Sequence, residues 1–171
     1  METSQHKCAL GVFTLTNYFY WAVLEQDNAS PTLTDRRRED VPKTMTTAQL
    51  MTWYSARVSS LLDSHRPTIV AVRLSLAGRR GFGQTVAFVE KAIFPNAIVH
   101  LLCQQKEPPI PVLDFTKQSF RANRFGVTVP VGKKEAQVLS EECDSTFVHD
   151  GPHWDENQKE AVLAAWLALR S

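Results

Sequence analysis

A chain of 171 residues with 43% apolar and 22% charged residues has ordinary globular composition, which argues against disordered and fibrous classes and predicts one domain over residues 1–171. Lys and Arg number 19 against 18 Asp and Glu, a formal charge of +1, so any attraction for nucleic acid or anionic lipid has to come from a local patch. Cys8, Cys103 and Cys143 are widely spaced and form no CxxC pair, and no apolar run approaches the length of a membrane span. These features predict a cytoplasmic protein without a disulfide framework, zinc site or cofactor, with Cys8 and Cys103 as inert core thiols.

Residues 8–15, CALGVFTL, read as a strand, Thr16-Asn17 as a turn, and residues 18–25, YFYWAVLE, as the second strand of a hairpin. Tyr18 and Tyr20 alternate with Phe19 and Trp21, which turns one aromatic pair to the core and the other outward, as a candidate protein or homodimer interface unless segment 26–43 covers it. That segment is polar, with a short third strand around residues 32–36. The run Arg36-Arg37-Arg38 is followed at once by acids and reads as a solvated edge. Thr46 and Gln49 have the spacing of a capping box, and Leu50, Trp53, Tyr54, Val58, Leu61 and Leu62 follow at helical intervals, predicting a helix over about 47–64. Trp53 and Tyr54 read as core residues rather than as a base-stacking pair.

The centre of the chain is the stretch 68–96. A β-branched strand, Thr68 to Val72, breaks into the basic loop Ala77-Gly78-Arg79-Arg80-Gly81-Phe82-Gly83 and resumes as a helix from about Gln84. Such a loop offers N–H groups and two guanidinium groups to an anion. Residues 97–103, AIVHLLC, predict a second parallel strand with His100 as a satisfied polar residue. Residues 105–112 contain three prolines and predict irregular chain. A short helix over 113–123 would expose Lys117 and Arg121, with Arg124 just beyond. Residues 133–143 predict a helix and 144–154 a polar loop. Asp155 with Gln158 resembles a capping box, opening a last helix with Val162, Ala165, Trp166 and Leu169 as its buried stripe.

The loop GRRGFG lacks the GK[ST] ending of a P-loop and the spacing of a dinucleotide fingerprint, and the chain has no GxSxG elbow. His149, Asp150 and His153 form the one cluster with metal-like chemistry, but its HDGPH spacing reads as a loop. Asp114 and Asp150 have no neighbours in sequence that suggest catalysis, and neither does Cys143 with either histidine.

The order of elements, an antiparallel hairpin followed by βαβ-type units, resembles the RNase H-like α/β fold, a mixed sheet with helices on both faces. Leu10-Gly11-Val12 resembles the first strand of RuvC-like resolvases. The central strand with its Gly-Arg-Arg-Gly loop and the Ala-rich helix from Lys159 to Trp166 match in place. A small family of bacterial RNase H-like proteins is similar along most of the chain. Nucleases of this superfamily bind two divalent metals through carboxylates on the first strand, at the end of the central strand and on the last helix. The resemblance puts Phe13 and Leu74 at the first two of those positions, and no acid lies in residues 9–20 or 68–88. Only Asp155, Glu156 and Glu160 remain, and capping and solvation account for them.

Two readings follow. One is a catalytically inactive RNase H-like module that binds DNA or RNA through Arg79, Arg80, Lys117, Arg121 and Arg124, with Lys133 and Lys134 if they converge and with Phe82 stacking a base. The other is a protein-interaction scaffold, for which the aromatic second strand speaks. A nuclease with a non-standard site is a third, lesser alternative.

Overall fold

A computed structural model describes residues 6–27, 30–75, 90, 93–148 and 150–171. Five strands form one sheet in the order β3-β2-β1-β4-β5. They are β1 (Lys7–Thr14), β2 (Tyr18–Gln26), β3 (Thr32–Asp40), β4 (Ile69–Arg73) and β5 (Val112–Phe115). The first three are antiparallel neighbours, while β4 runs parallel to both β1 and β5. Helices α1 (Thr47–His65) and α2 (Phe94–Gln104) pack on one face. Helices α3 (Glu135–Thr146) and α4 (Glu156–Leu169), with two 3-10 turns at Lys117–Ser119 and Ala122–Phe125, belong to the other.

Alternation along the strands sorts the side chains. Leu10, Val12, Phe19, Trp21, Val23, Val70 and Val72 meet Tyr54, Val58 and Leu62 of α1 and Val99 and Cys103 of α2. The opposite face has a central row of small groups, with Ala71, Gly11 and Ala22 level with one another across β4, β1 and β2, between larger residues such as Phe13, Tyr20 and Leu24. There α4 lies so close that a Cβ on Gly11 would stand 2.0 Å from the Ala161 carbonyl oxygen and 2.8 Å from the Ala165 nitrogen. Glycine at 11 and the alanines at 161, 164, 165 and 168 are what let helix and sheet approach, and the alanines are all buried.

Several expectations need correction. Residues 97–103 are helical, with Pro95, Val99 and Cys103 buried at four-residue intervals and Leu101 exposed. A short apolar run fits a buried strand or a helix equally well by pattern. The strand that extends the parallel part of the sheet is instead Val112–Phe115, where residues 113–123 had predicted a helix. As an edge strand it tolerates the prolines before it, and the Pro111 carbonyl accepts from the Val70 N–H at 3.0 Å. The third strand continues to Asp40. The aromatic second strand has no outward pair: Phe19 and Trp21 are buried against the α1 side and Tyr20 against the α4 side, with Tyr18 half-buried.

Other expectations hold. The Thr46–Gln49 capping box is formed in both directions. Asp155 caps α4 by accepting from the Gln158 N–H at 2.9 Å, but the Gln158 side chain turns inward and donates to the Trp21 carbonyl. Cys8 and Cys103 are buried, which pushes each thiol up to about 11, and Cys143 is raised further for the same reason. No helix among the described residues is long and apolar enough to cross a membrane.

Candidate nucleic-acid interface at the end of the parallel strands

Strands β1 and β4 end side by side, with Phe13 level with Arg73 on the face that α4 covers. The Arg73 guanidinium is held from four directions. Its Nε donates to Glu160 Oε2 on α4 at 2.5 Å, and Nη1 donates to the Leu74 carbonyl. Phe13 and Phe120 flank it, with ring centroids 5.1 and 5.7 Å from the guanidinium carbon. The Arg73 side chain is only 9% exposed and that of Glu160 18%, so each charge depends on the other. Tyr20 stacks beside Phe13, and its hydroxyl meets the Asn157 amide at 3.5 Å. Burial raises the Tyr20 pKa, with Asp155 adding to the effect.

A cavity of about 580 Å³ opens next to this pair, between α3, α4 and the 3-10 turns. Its floor is Phe120, Leu139 and Leu163, and its rim carries Lys117, Arg121, Glu135, Ser140, Asn157 and Glu160. Lys117 is exposed. Arg121 donates to Glu135 Oε2 at 3.0 Å, while Glu135 Oε1 accepts from the Ala122 N–H at 2.8 Å. Those two contacts, the backbone one foremost, hold the Glu135 carboxyl below its ordinary range. Lys159 closes one wall, bonded to Ser140 Oγ at 2.8 Å and to Asp144 at 2.9 Å. Burial works against its ammonium, but Asp144 and Glu156 outweigh this and raise the pKa. A serine beside such a lysine has no neutral amine to serve as its base, so this contact is structural.

The sequence candidates separate accordingly. Lys117 and Arg121 share the cavity rim. Arg124 does not join them: it donates to the Ser119 carbonyl, and its guanidinium lies 5.7 Å from the Phe115 ring. Lys133 is paired with Glu141 at 2.7 Å. Arg79, Arg80 and Phe82 lie outside the described residues. Ser75, which precedes that stretch, donates to the Thr14 carbonyl at this same edge. The arginines of β3 line a separate concavity with Asp150, Pro152 and His153, where Arg36 clasps the Asp150 and Pro152 carbonyls and Arg38 lies over Tyr18. His100 is paired with Asp114 at 2.9 Å, as a satisfied polar group, although on a helix.

Arg73 and Glu160 escaped the sequence reading as partners. The available signal was a charged residue closing an otherwise apolar strand, since a buried charge must find a counter-charge. Among the described residues no three His, Cys, Asp or Glu side chains converge to hold a metal ion. The position level with Phe13 on the face that α4 covers is Arg73 and not Leu74, which packs on the opposite face; among the described residues Phe13, Arg73 and the Glu160 that Arg73 engages do not fit the two divalent ions that the resemblance implies.

No family model and no curated protein sequence matches the chain. Among solved structures it is similar to Thermus thermophilus RuvC in complex with a Holliday junction substrate, at 12% identity and a TM-score of 0.71 over 95% of this chain and 93% of that one. Free T. thermophilus RuvC gives 14% identity and a TM-score of 0.71 over the same shares. The yeast mitochondrial Holliday junction resolvase Ydc2 gives 12% and 0.69 over 95% of this chain and 77% of that one. The fold is therefore RNase H-like, of the RuvC-like kind.

Proposed function

We propose that the protein is a nucleic-acid-associated RNase H-like module that does not cleave by a two-metal mechanism. The observation that carries this reading is the Arg73–Glu160 pair: the one α4 carboxylate aimed at the end of the parallel strands is already neutralised by a side chain. Two-metal phosphoryl transfer needs several free carboxylates around a pair of hard cations. Binding is favoured by Lys117 and Arg121 on one cavity rim and by the likeness in fold to proteins named as Holliday junction resolvases. Lys117 is the exposed phosphate-contact candidate, and Arg121 contributes when a phosphate displaces Glu135. Arg79, Arg80 and Phe82, which the sequence nominates, add to that contact under this reading.

Fluorescence anisotropy with four-way junction, duplex and single-stranded DNA and with RNA tests it. The expected result is binding that weakens steeply with salt, and Lys117→Ala lowers both the affinity and the salt slope by about one counterion. Affinity that ignores both salt and Lys117→Ala contradicts the reading. A protein-interaction scaffold is the second reading, favoured by the exposed apolar side chains Ile93, Phe94 and Leu101 at α2. It is supported instead if nucleic acids do not bind at low salt and the chain self-associates.

A further inference from the structure

We propose that the outer edge of β3 is an interface between two copies of this chain, which pair antiparallel about a two-fold axis through Arg38 and join their sheets into one. The inference goes beyond the proposed function and does not depend on it. β3 ends the sheet, and among the described residues no main-chain bond reaches it except from β2. Two contacts tell which of its groups face outward. The Val41 N–H donates to the Asn17 carbonyl at 2.9 Å and continues the ladder with β2, in step with Glu39 opposite Phe19 and Arg37 opposite Trp21. Alternation then turns Arg36, Arg38 and Asp40 away from β2, and the Arg36 N–H is indeed covered by its own Asp35 carboxylate at 2.8 Å. The register shift of this ladder lies between Val23 and Leu24, clear of residues 36–40. An open edge of this kind is a template for a further strand.

Charge selects the occupant. In a two-fold antiparallel pair, residues equally far on either side of the central one stand opposite each other. Centred on Arg38, the run Asp35-Arg36-Arg37-Arg38-Glu39-Asp40 sets Arg37 against Glu39 of the second copy and Arg36 against its Asp40, each twice. Arg38 and its counterpart then exchange both main-chain hydrogen bonds, as two outward-facing residues must. Centring on Arg37 opposes Arg36 to Arg38 and Asp35 to Glu39, like against like, and centring on Arg36 leaves only Asp35 against Arg37. The like charges on the axis diverge. Each Arg38 guanidinium lies 4.6 Å from its own Tyr18 ring, and Tyr18 is level with Asp40, so the two lean in opposite directions along the strands. Arg37 is exposed and has no side-chain partner among the described residues. Glu39 faces the same side, where it already accepts from Arg57 and from Trp21 Nε1. On the other side a concavity of about 470 Å³ runs along residues 33–38 and receives the second copy's Asp40 beside Arg36.

Sedimentation velocity over a concentration series, with no nucleic acid present, tests the interface. The unaltered chain should dimerise reversibly, and Arg37→Glu, a change at an exposed position, should weaken the dimer at least about tenfold while leaving the thermal midpoint in place. Register is tested by cysteine pairing, since Cys8, Cys103 and Cys143 are all buried and an added thiol at the edge is the exposed one. On the axis, Arg38→Cys brings two Cα atoms to about 5.5 Å, within disulfide range. Asp40→Cys leaves its pair about 14 Å apart along the strands. Mild oxidation should therefore link Arg38→Cys at least about tenfold faster than Asp40→Cys. A chain that stays monomeric up to about 1 mM overturns the inference. So does a dimer that is indifferent to Arg37→Glu, or one in which the two cysteine variants link at equal rates, because association then runs through another surface such as the apolar side chains of α2.

Discussion

The two faces of the sheet solve the same burial problem in opposite ways. On the α1–α2 face, large side chains fill the space: Leu10, Val12, Phe19, Trp21 and Tyr54 are all nearly inaccessible, and Phe19 meets Tyr54 edge-on at 5.7 Å. On the α4 face the central row is Ala71, Gly11 and Ala22, and the helix answers with alanines until backbone nearly touches backbone. Hydrophobic burial drives both, but in the second arrangement the helix backbone has no room for even one more methyl group at Gly11. That helix carries Glu160, and its close seating delivers the carboxylate to Arg73. One face supplies bulk and the other supplies placement.

One substitution on each face should show this contrast most visibly. Gly11→Ala adds one methyl group against the Ala161 carbonyl and the Ala165 backbone, neither of which can rotate aside. We expect a loss of more than about 3 kcal/mol in a denaturant titration. Leu10→Met, one residue away on the other face, should cost less than about 1.5 kcal/mol, because volume is conserved there. Similar losses for the two would dissolve the distinction between the faces.

Next in size is the ion pair. Arg73→Met keeps the aliphatic bulk and strands the Glu160 charge, for which a buried pair would lose about 3–5 kcal/mol. The adjoining cavity admits water to Glu160, so about 2–3 kcal/mol is the expected loss. Arg73→Met/Glu160→Gln should recover part of it, since no charge is left unpaired. A double variant less stable than the single one would mean that the guanidinium acts through its packing on Phe13 and Phe120.

The smallest effect concerns the cavity rim. Glu135 is held below its ordinary range by the Ala122 N–H and by Arg121, so its tether is complete above the usual carboxylate pKa and is lost as pH falls through the depressed value. Hydrogen exchange at Ala122 should accelerate relative to the sheet core on acidification through that range, after correction for intrinsic rates. Glu135→Gln should remove this pH dependence. An unchanged protection profile would detach the 3-10 turns from α3 as a cooperative unit.

The sequence made some of this legible because some signals are local. Thr46 with Gln49, Asp155 as a cap, and the period-2 alternation of β1 and β2 each announce an element within a few residues. Where two structures share a pattern, locality fails. AIVHLLC is apolar enough for a buried strand, and only packing against α1 makes it α2. The four residues of β5 follow three prolines and are too short to declare themselves. Lys117 and Arg121 were visible as exposed cations, whereas the neutralisation of Arg121 by Glu135 was not. Arg73 and Glu160 are 87 positions apart, and their meeting depends on which face each occupies and on how closely α4 seats over Gly11. Pairing at that range is a product of the fold.

The most direct test of the central claim is to incubate the protein with four-way junction and single-stranded DNA at low salt, with and without Mg²⁺, and to follow binding and strand scission on the same samples. Salt-sensitive binding with intact strands in both conditions is the predicted result. Mg²⁺-dependent scission that disappears in Glu160→Gln would show that Arg73 does not keep this carboxylate from catalysis, and would contradict the account.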